Sequence, residues 1–123
     1  MTTAFGQVFA GVAVEDFDRA IDWYELLFGG PPDVVVREGE ESMWQVADRA
    51  WIYVVADAGR AGNALLTLLV DDLDARIASI ASRGIKGSAE DSEPGLYRKV
   101  SFEDPDGNTI TIGQSLKPAV SER

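Results

Sequence analysis

The chain has 123 residues, with 21 acidic against 11 basic side chains, no histidine, no cysteine and a net charge of −10. That length supports one hydrophobic core rather than two independent ones. Without Cys or His, disulfides, thiolate nucleophiles, imidazole bases and Cys- or His-ligated metal sites are excluded, and the acidic balance makes nucleic acid and anionic membranes poor partners.

Residues 8–14 alternate, with Val8, Ala10, Val12 and Val14 on one face and Phe9, Gly11 and Ala13 on the other, which is the period of a strand. Asp16 or Asp18 then starts a helix, because a short carboxylate accepts from the free N–H groups of a first turn. Phe17, Ala20, Ile21, Tyr24 and Leu27 or Phe28 recur at helical spacing, and Gly29-Gly30-Pro31-Pro32 ends the helix. Residues 33–56 predict three strands, "DVVVRE", "SMWQVA" and "AWIYVVA", joined by short polar turns that suit antiparallel neighbours. "DAGRAGN" at 57–63 reads as a loop.

The next stretch repeats the first. Val12 through Asp18 align with Leu68 through Asp74, and Ile21 aligns with Ile77, at a constant offset of 56 residues. Strand, acidic cap and amphipathic helix therefore occur twice. After the second helix, "SAEDSEP" is polar and its "AEDSE" run reads as a solvated loop, although a third strand is expected near "KGSAED". "LYRKVSFED" and "NTITIGQ" form a hairpin around Asp104-Pro105-Asp106-Gly107-Asn108, and "LKPAVSER" at 116–123 is a polar tail. The expected fold is α+β: one domain of two tandem βαβββ modules, 5–57 and 62–115, with curved mixed sheets around a central cavity.

Alternation sorts the faces. Pairing Ser101 with Thr111 and Phe102 with Ile110 puts Val100, Phe102, Ile110 and Ile112 against the helices. The opposite, concave face then collects Phe9, Trp51, Tyr53, Leu65, Thr67, Tyr97, Lys99, Ser101 and Thr111. Aromatic surface with a few polar tips is the lining of a small-molecule pocket. Arg98 falls on the other face of its strand, and Trp51 and Trp44 are either stacking residues or core packing.

Three stretches resemble the vicinal oxygen chelate superfamily, also called the glyoxalase, bleomycin-resistance and extradiol-dioxygenase superfamily. They are "VAVEDFDRAIDWYELLFG", "LLVDDLDARIASIASRGI" and "FEDPDGNTITIGQ", the last close to the family's F-x-D-P-D-G-N hairpin. The resemblance spans residues 7–114 and implies paired βαβββ modules. In the metal-dependent members, four positions supply His, Gln or Glu. Carried over, these fall on Phe9, Leu65, Thr111 and, by a looser alignment, Tyr53. Phe9 and Leu65 have no donor atom, and a shift to Gln7 rescues one position.

The departure implies a metal-free member of the bleomycin-resistance type, with no cofactor, that holds a hydrophobic or aromatic ligand and sequesters it as such relatives sequester drugs. The acidic charge would steer a cationic ligand toward it. The alternatives are a metal-free isomerase, lyase or cyclase using Lys99 and Tyr97, with burial lowering the Lys99 pKa, and a non-catalytic interaction module. A homodimer is the expected assembly, as the resemblance implies. With no apolar run near the ~20 residues of a membrane span and no basic region at the start, the expected location is cytoplasmic.

Overall fold

The computed structural model describes residues 4–116, so all of the 116–123 tail except Leu116 lies outside the described residues. In chain order the elements are β1 (Val8–Val14), α1 (Phe17–Phe28), β2 (Val34–Arg37), β3 (Glu41–Ala47), β4 (Ala50–Ala56), β5 (Leu65–Leu69), α2 (Leu73–Ser82), β6 (Ala89–Glu93), β7 (Tyr97–Glu103) and β8 (Thr109–Ser115). They build two four-stranded mixed sheets, ordered β1-β4-β3-β2 and β5-β8-β7-β6. Each is the βαβββ module that the repeat predicts, with its first strand parallel to its last and the other neighbours antiparallel.

The helix boundaries follow from local chemistry. Asp16 caps α1, accepting from the Arg19 amide at 3.2 Å, and Asp72 caps α2, accepting from the Ala75 amide at 3.1 Å. The choice left open between Asp16 and Asp18 thus falls to Asp16, with Asp18 inside the first turn. Gly29 ends α1 at φ +89°, where a Cβ would be strained, and its N–H bonds the Glu25 carbonyl at 2.9 Å.

One core serves both modules. Val12, Val14, Ile52 and Val54 of the first sheet and Val100, Phe102, Ile110 and Ile112 of the second are buried with Ala20, Tyr24, Leu27, Leu73 and Ile80 of the helices. The orientation of "AWIYVVA" is thereby settled: Ile52 and Val54 face the core, leaving Trp51 and Tyr53 on the open side. Val8 shares parity with Val12 yet is exposed.

The structure corrects one reading of a polar segment and decides one left open for an aromatic. "AEDSE" is not a loop: Ala89–Glu93 is the second strand of the second module in chain order, the additional one expected near "KGSAED", and an edge strand exposed along its whole length. Its backbone bonds to β7 override an unfavourable composition. Trp44 is not a stacking surface. It is 3% exposed in the core, with its indole N–H on the Gly30 carbonyl at 3.0 Å.

The acidic turn joins the modules. Asp104 accepts from the Tyr24 hydroxyl of α1 at 2.7 Å, and Asn108 donates to the Ala13 carbonyl of β1 at 2.9 Å while accepting from the Ala64 amide at 2.8 Å. The Asp106 carboxylate accepts from the Glu15 amide at 3.2 Å. Burial, and then the Asp104 carboxylate, push the Tyr24 hydroxyl far above its usual pKa, so it stays a donor. Elsewhere on the seam, Arg83 of α2 donates to the Leu26 and Leu27 carbonyls at 2.5 and 3.2 Å, satisfying the free end of α1. Among the described residues no helix is long and apolar enough to cross a membrane.

Candidate functional site

The nine residues predicted for the concave face divide into two clusters, one on each sheet. On the first sheet, Phe9 pairs in register with Trp51, and Gly11 with Tyr53. The Phe9 and Trp51 rings stack, with centroids 6.0 Å apart and planes 14° from parallel. Trp51 is held in place by its indole N–H, which donates to Gln7 Oε1 at 2.6 Å. Sequence reasoning weighed Gln7 only as a displaced metal ligand. Its amide oxygen is instead engaged by the indole.

On the second sheet the predicted register holds. Ser101 is opposite Thr111, and their hydroxyls lie 2.9 Å apart. Thr67 is the register partner of Thr111 on the other side, and Leu65 of Thr109. Lys99 Nζ lies 4.9 Å from the centroid of the Tyr97 ring and 3.9 Å from Asp91 Oδ2, and the Tyr97 hydroxyl donates to that same oxygen at 3.2 Å. Partial burial and then the Asp91 carboxylate push the Tyr97 hydroxyl above its usual pKa. The Lys99 side chain is 40% exposed and ion-paired, so it does not occupy the desolvated setting expected of a buried base. Asp91 was missed because it belongs to the strand read as a loop. Arg98 does face the other way, bonding Asp74 of α2 at 3.0 Å and holding that carboxyl below its usual range.

The two registers also compare the modules position by position. Phe9 opposite Trp51 matches Leu65 opposite Thr109, and Gly11 opposite Tyr53 matches Thr67 opposite Thr111. Tyr53 is therefore the counterpart of Thr111 within the internal repeat. A divalent metal needs imidazole, carboxylate or amide donors, and Phe9, Tyr53, Leu65 and Thr111 do not fit it. Among the described residues no group of three or more His, Cys, Asp or Glu is arranged to hold a metal ion.

A hollow of about 500 Å³ opens on the first sheet, lined by Gly11, Tyr53 and Val55 and by Asp57, Arg60 and Asn63 of the linker to β5. That volume suits a small organic molecule. Of the nine predicted residues, only Tyr53 lines this hollow; Phe9 and Trp51 lie two residues away along the same strands, outside its lining. The second-sheet cluster does not line it. Leu65, 81% exposed, and Leu69 stand on the open face of their own sheet.

The model of the Glyoxalase/Bleomycin resistance protein/Dioxygenase superfamily matches residues 6–112. No curated protein matches the chain by sequence. Among solved structures, a glyoxalase/bleomycin resistance protein from Catenulispora acidiphila superposes with a TM-score of 0.84 at 38% identity, covering 88% of this chain and 96% of its own. An antibiotic binding protein from Streptomyces sp. CB03234 gives 0.69 at 27% identity, covering 94% and 98%. A lactoylglutathione lyase from Agrobacterium tumefaciens gives 0.68 at 19% identity, covering 93% and 95%, a likeness of fold.

Proposed function

Because the chain belongs to the glyoxalase/bleomycin resistance protein/dioxygenase superfamily, we propose that it is a metal-independent member that binds a hydrophobic or aromatic small molecule and sequesters it. The observation that carries this reading is the Phe9–Trp51 stack, fixed by Gln7 on an open sheet face at a position where metal-dependent relatives keep a donor. A rigid aromatic platform offers a flat ligand contact area at little entropic cost. The Streptomyces antibiotic binding protein supports drugs as the ligand class.

The assembly in this reading is a cytoplasmic homodimer. Leu65 and Leu69 are large apolar side chains exposed on the open face of the second sheet, and a second copy laid over them would remove them from water. Light scattering should give twice the chain mass, and Leu65→Lys should return it to the monomer. A wild-type monomer would remove the dimer from the reading.

Two measurements test the binding. Elemental analysis should find no stoichiometric divalent metal, and a chelator should leave ligand binding unchanged. Flat aromatic drugs should quench tryptophan fluorescence at micromolar concentration, with the response lost in Trp51→Ala. Tightly bound metal at one ion per chain, or quenching indifferent to Trp51, would overturn it. Lys99 and Tyr97 are the acid–base groups a metal-free reaction would use, but both are committed to Asp91, which places the enzymatic reading second.

A further inference from the structure

The hollow on the first sheet also carries information about the polar end of its ligand, an inference that rests on the binding reading above. Its floor depends on a missing side chain. A methyl group on Gly11 would stand 2.5 Å from Tyr53 Cζ and 2.6 Å from the Tyr53 hydroxyl. Glycine at 11 therefore lets the Tyr53 ring reach across from β4 and lie over β1, where it lines the hollow as a flat surface. Among the described residues the Tyr53 hydroxyl has no hydrogen-bond partner.

The opposite wall is the linker. Arg60 bonds Asp57 through Nε alone, at 2.7 Å, so its terminal nitrogens keep their donors. The two members of the pair differ in access: the Arg60 side chain is 85% exposed and that of Asp57 29%. An incoming group thus meets guanidinium N–H groups before carboxylate oxygen. Asn63 donates its amide to the Arg60 and Ala61 carbonyls at 3.4 and 3.3 Å, which ties the loop that carries Arg60.

We propose that this hollow takes a planar aromatic carboxylate, its ring on Tyr53 and its carboxylate on the terminal nitrogens of Arg60. The net charge of the chain argues for a cation only at long range. At physiological salt the Debye length is about 8 Å, so a bound ligand responds to its immediate neighbours, here the terminal guanidinium nitrogens of Arg60 and the less exposed Asp57 carboxylate that Arg60 Nε already engages. A guanidinium fork matches a carboxylate in two parallel hydrogen bonds, which an ammonium cannot use.

The test measures dissociation constants of the full chain for 2-naphthoate, 2-naphthamide and 2-naphthylmethylammonium by calorimetry. Naphthoate should bind at least about tenfold more tightly than the ammonium compound. Arg60→Gln, a change on an exposed loop, should weaken naphthoate by about tenfold and leave naphthamide within about twofold. Gly11→Ala should weaken all three by displacing Tyr53. Equal affinity for acid and amine, or naphthoate binding indifferent to Arg60→Gln, would overturn the carboxylate assignment while Trp51-dependent naphthamide binding kept the broader reading. Binding of none of the three to the wild-type chain would remove both.

Discussion

Asp104→Asn changes one atom of the inter-module joint, and the structure says which bond it must break. The carboxylate is 5% exposed and accepts four hydrogen bonds: Oδ1 from the Asp106 and Asn108 amides at 2.8 and 2.9 Å, Oδ2 from the Tyr24 hydroxyl at 2.7 Å and Asn108 Nδ2 at 2.8 Å. An amide placed on the Oδ1 side would set its NH2 against two backbone N–H groups. On the Oδ2 side it meets the Tyr24 hydroxyl, which can turn to accept, and Asn108 Nδ2, which cannot. Asn108 has no freedom to flip, because Nδ2 also serves the Ala13 carbonyl and Oδ1 the Ala64 amide. The better rotamer therefore still leaves one donor facing another in a buried site, a cost of about 1–3 kcal/mol, and the loss of a charge-assisted acceptor brings the expected total to about 2–3 kcal/mol. Asp104→Ala strands more donors and should cost about 3–5 kcal/mol, a large share of the ~5–15 kcal/mol that holds a domain of this kind. Urea unfolding followed by tryptophan fluorescence measures both, provided the m-value is unchanged. An Asp104→Asn protein within about 0.5 kcal/mol of the parent would refute the account of the joint.

Three further outcomes follow from the same geometry. The Tyr24 hydroxyl has its pKa raised on folding, so its contribution is complete below the unfolded value near 10 and is lost as pH rises beyond it. Stability should fall above that pH with a Tyr24 component of up to about 1.4 kcal/mol per unit, and the gap to Tyr24→Phe should narrow over the same range; a gap that stays constant to pH 11.5 would contradict this. Gly62 sits at φ +88° with its missing Cβ 2.6 Å from the Asp106 carbonyl, so Gly62→Ala should cost about 1–3 kcal/mol in urea, whereas Gly39→Ala, also at positive φ but in open space, should cost about 1. Gln7→Leu should free the Trp51 indole and weaken aromatic ligands while leaving the urea midpoint near that of the parent, because the bond lies at an exposed site.

What was legible in the sequence follows the strength of its periodicity. Val12, Val14, Val100, Phe102, Ile110 and Ile112 alternate cleanly, and one face of each strand has only one place to go, so the register of the last hairpin and these core-facing residues were legible. "AEDSE" has no apolar member beyond Ala89, because an edge strand exposed on both faces carries no burial signal, and Asp91 was lost with it. Trp44 is open between stacking and core in the sequence for the opposite reason. A large aromatic on an alternating strand looks alike whether it faces ligand or helix, and only the packing of Tyr24 and Phe28 against it decides. The linker was legible as a loop but not as a wall, since nothing in "DAGRAGN" says that Arg60 faces Tyr53 across a hollow.

The repeat itself shows how the two halves have parted. At matched positions the first module carries Phe9, Trp51 and Tyr53, and the second carries Leu65, Thr109 and Thr111. The N-caps Asp16 and Asp72 match at the 56-residue offset, as do buried Tyr24 and Ile80, whereas buried Ala20 and Leu27 of α1 correspond to Arg76 and Arg83. The halves also differ on the open faces and at the acidic turn, where Asp104 and Asn108 of the second module reach into the first. A turn that binds the halves together leaves their open faces free to change chemistry.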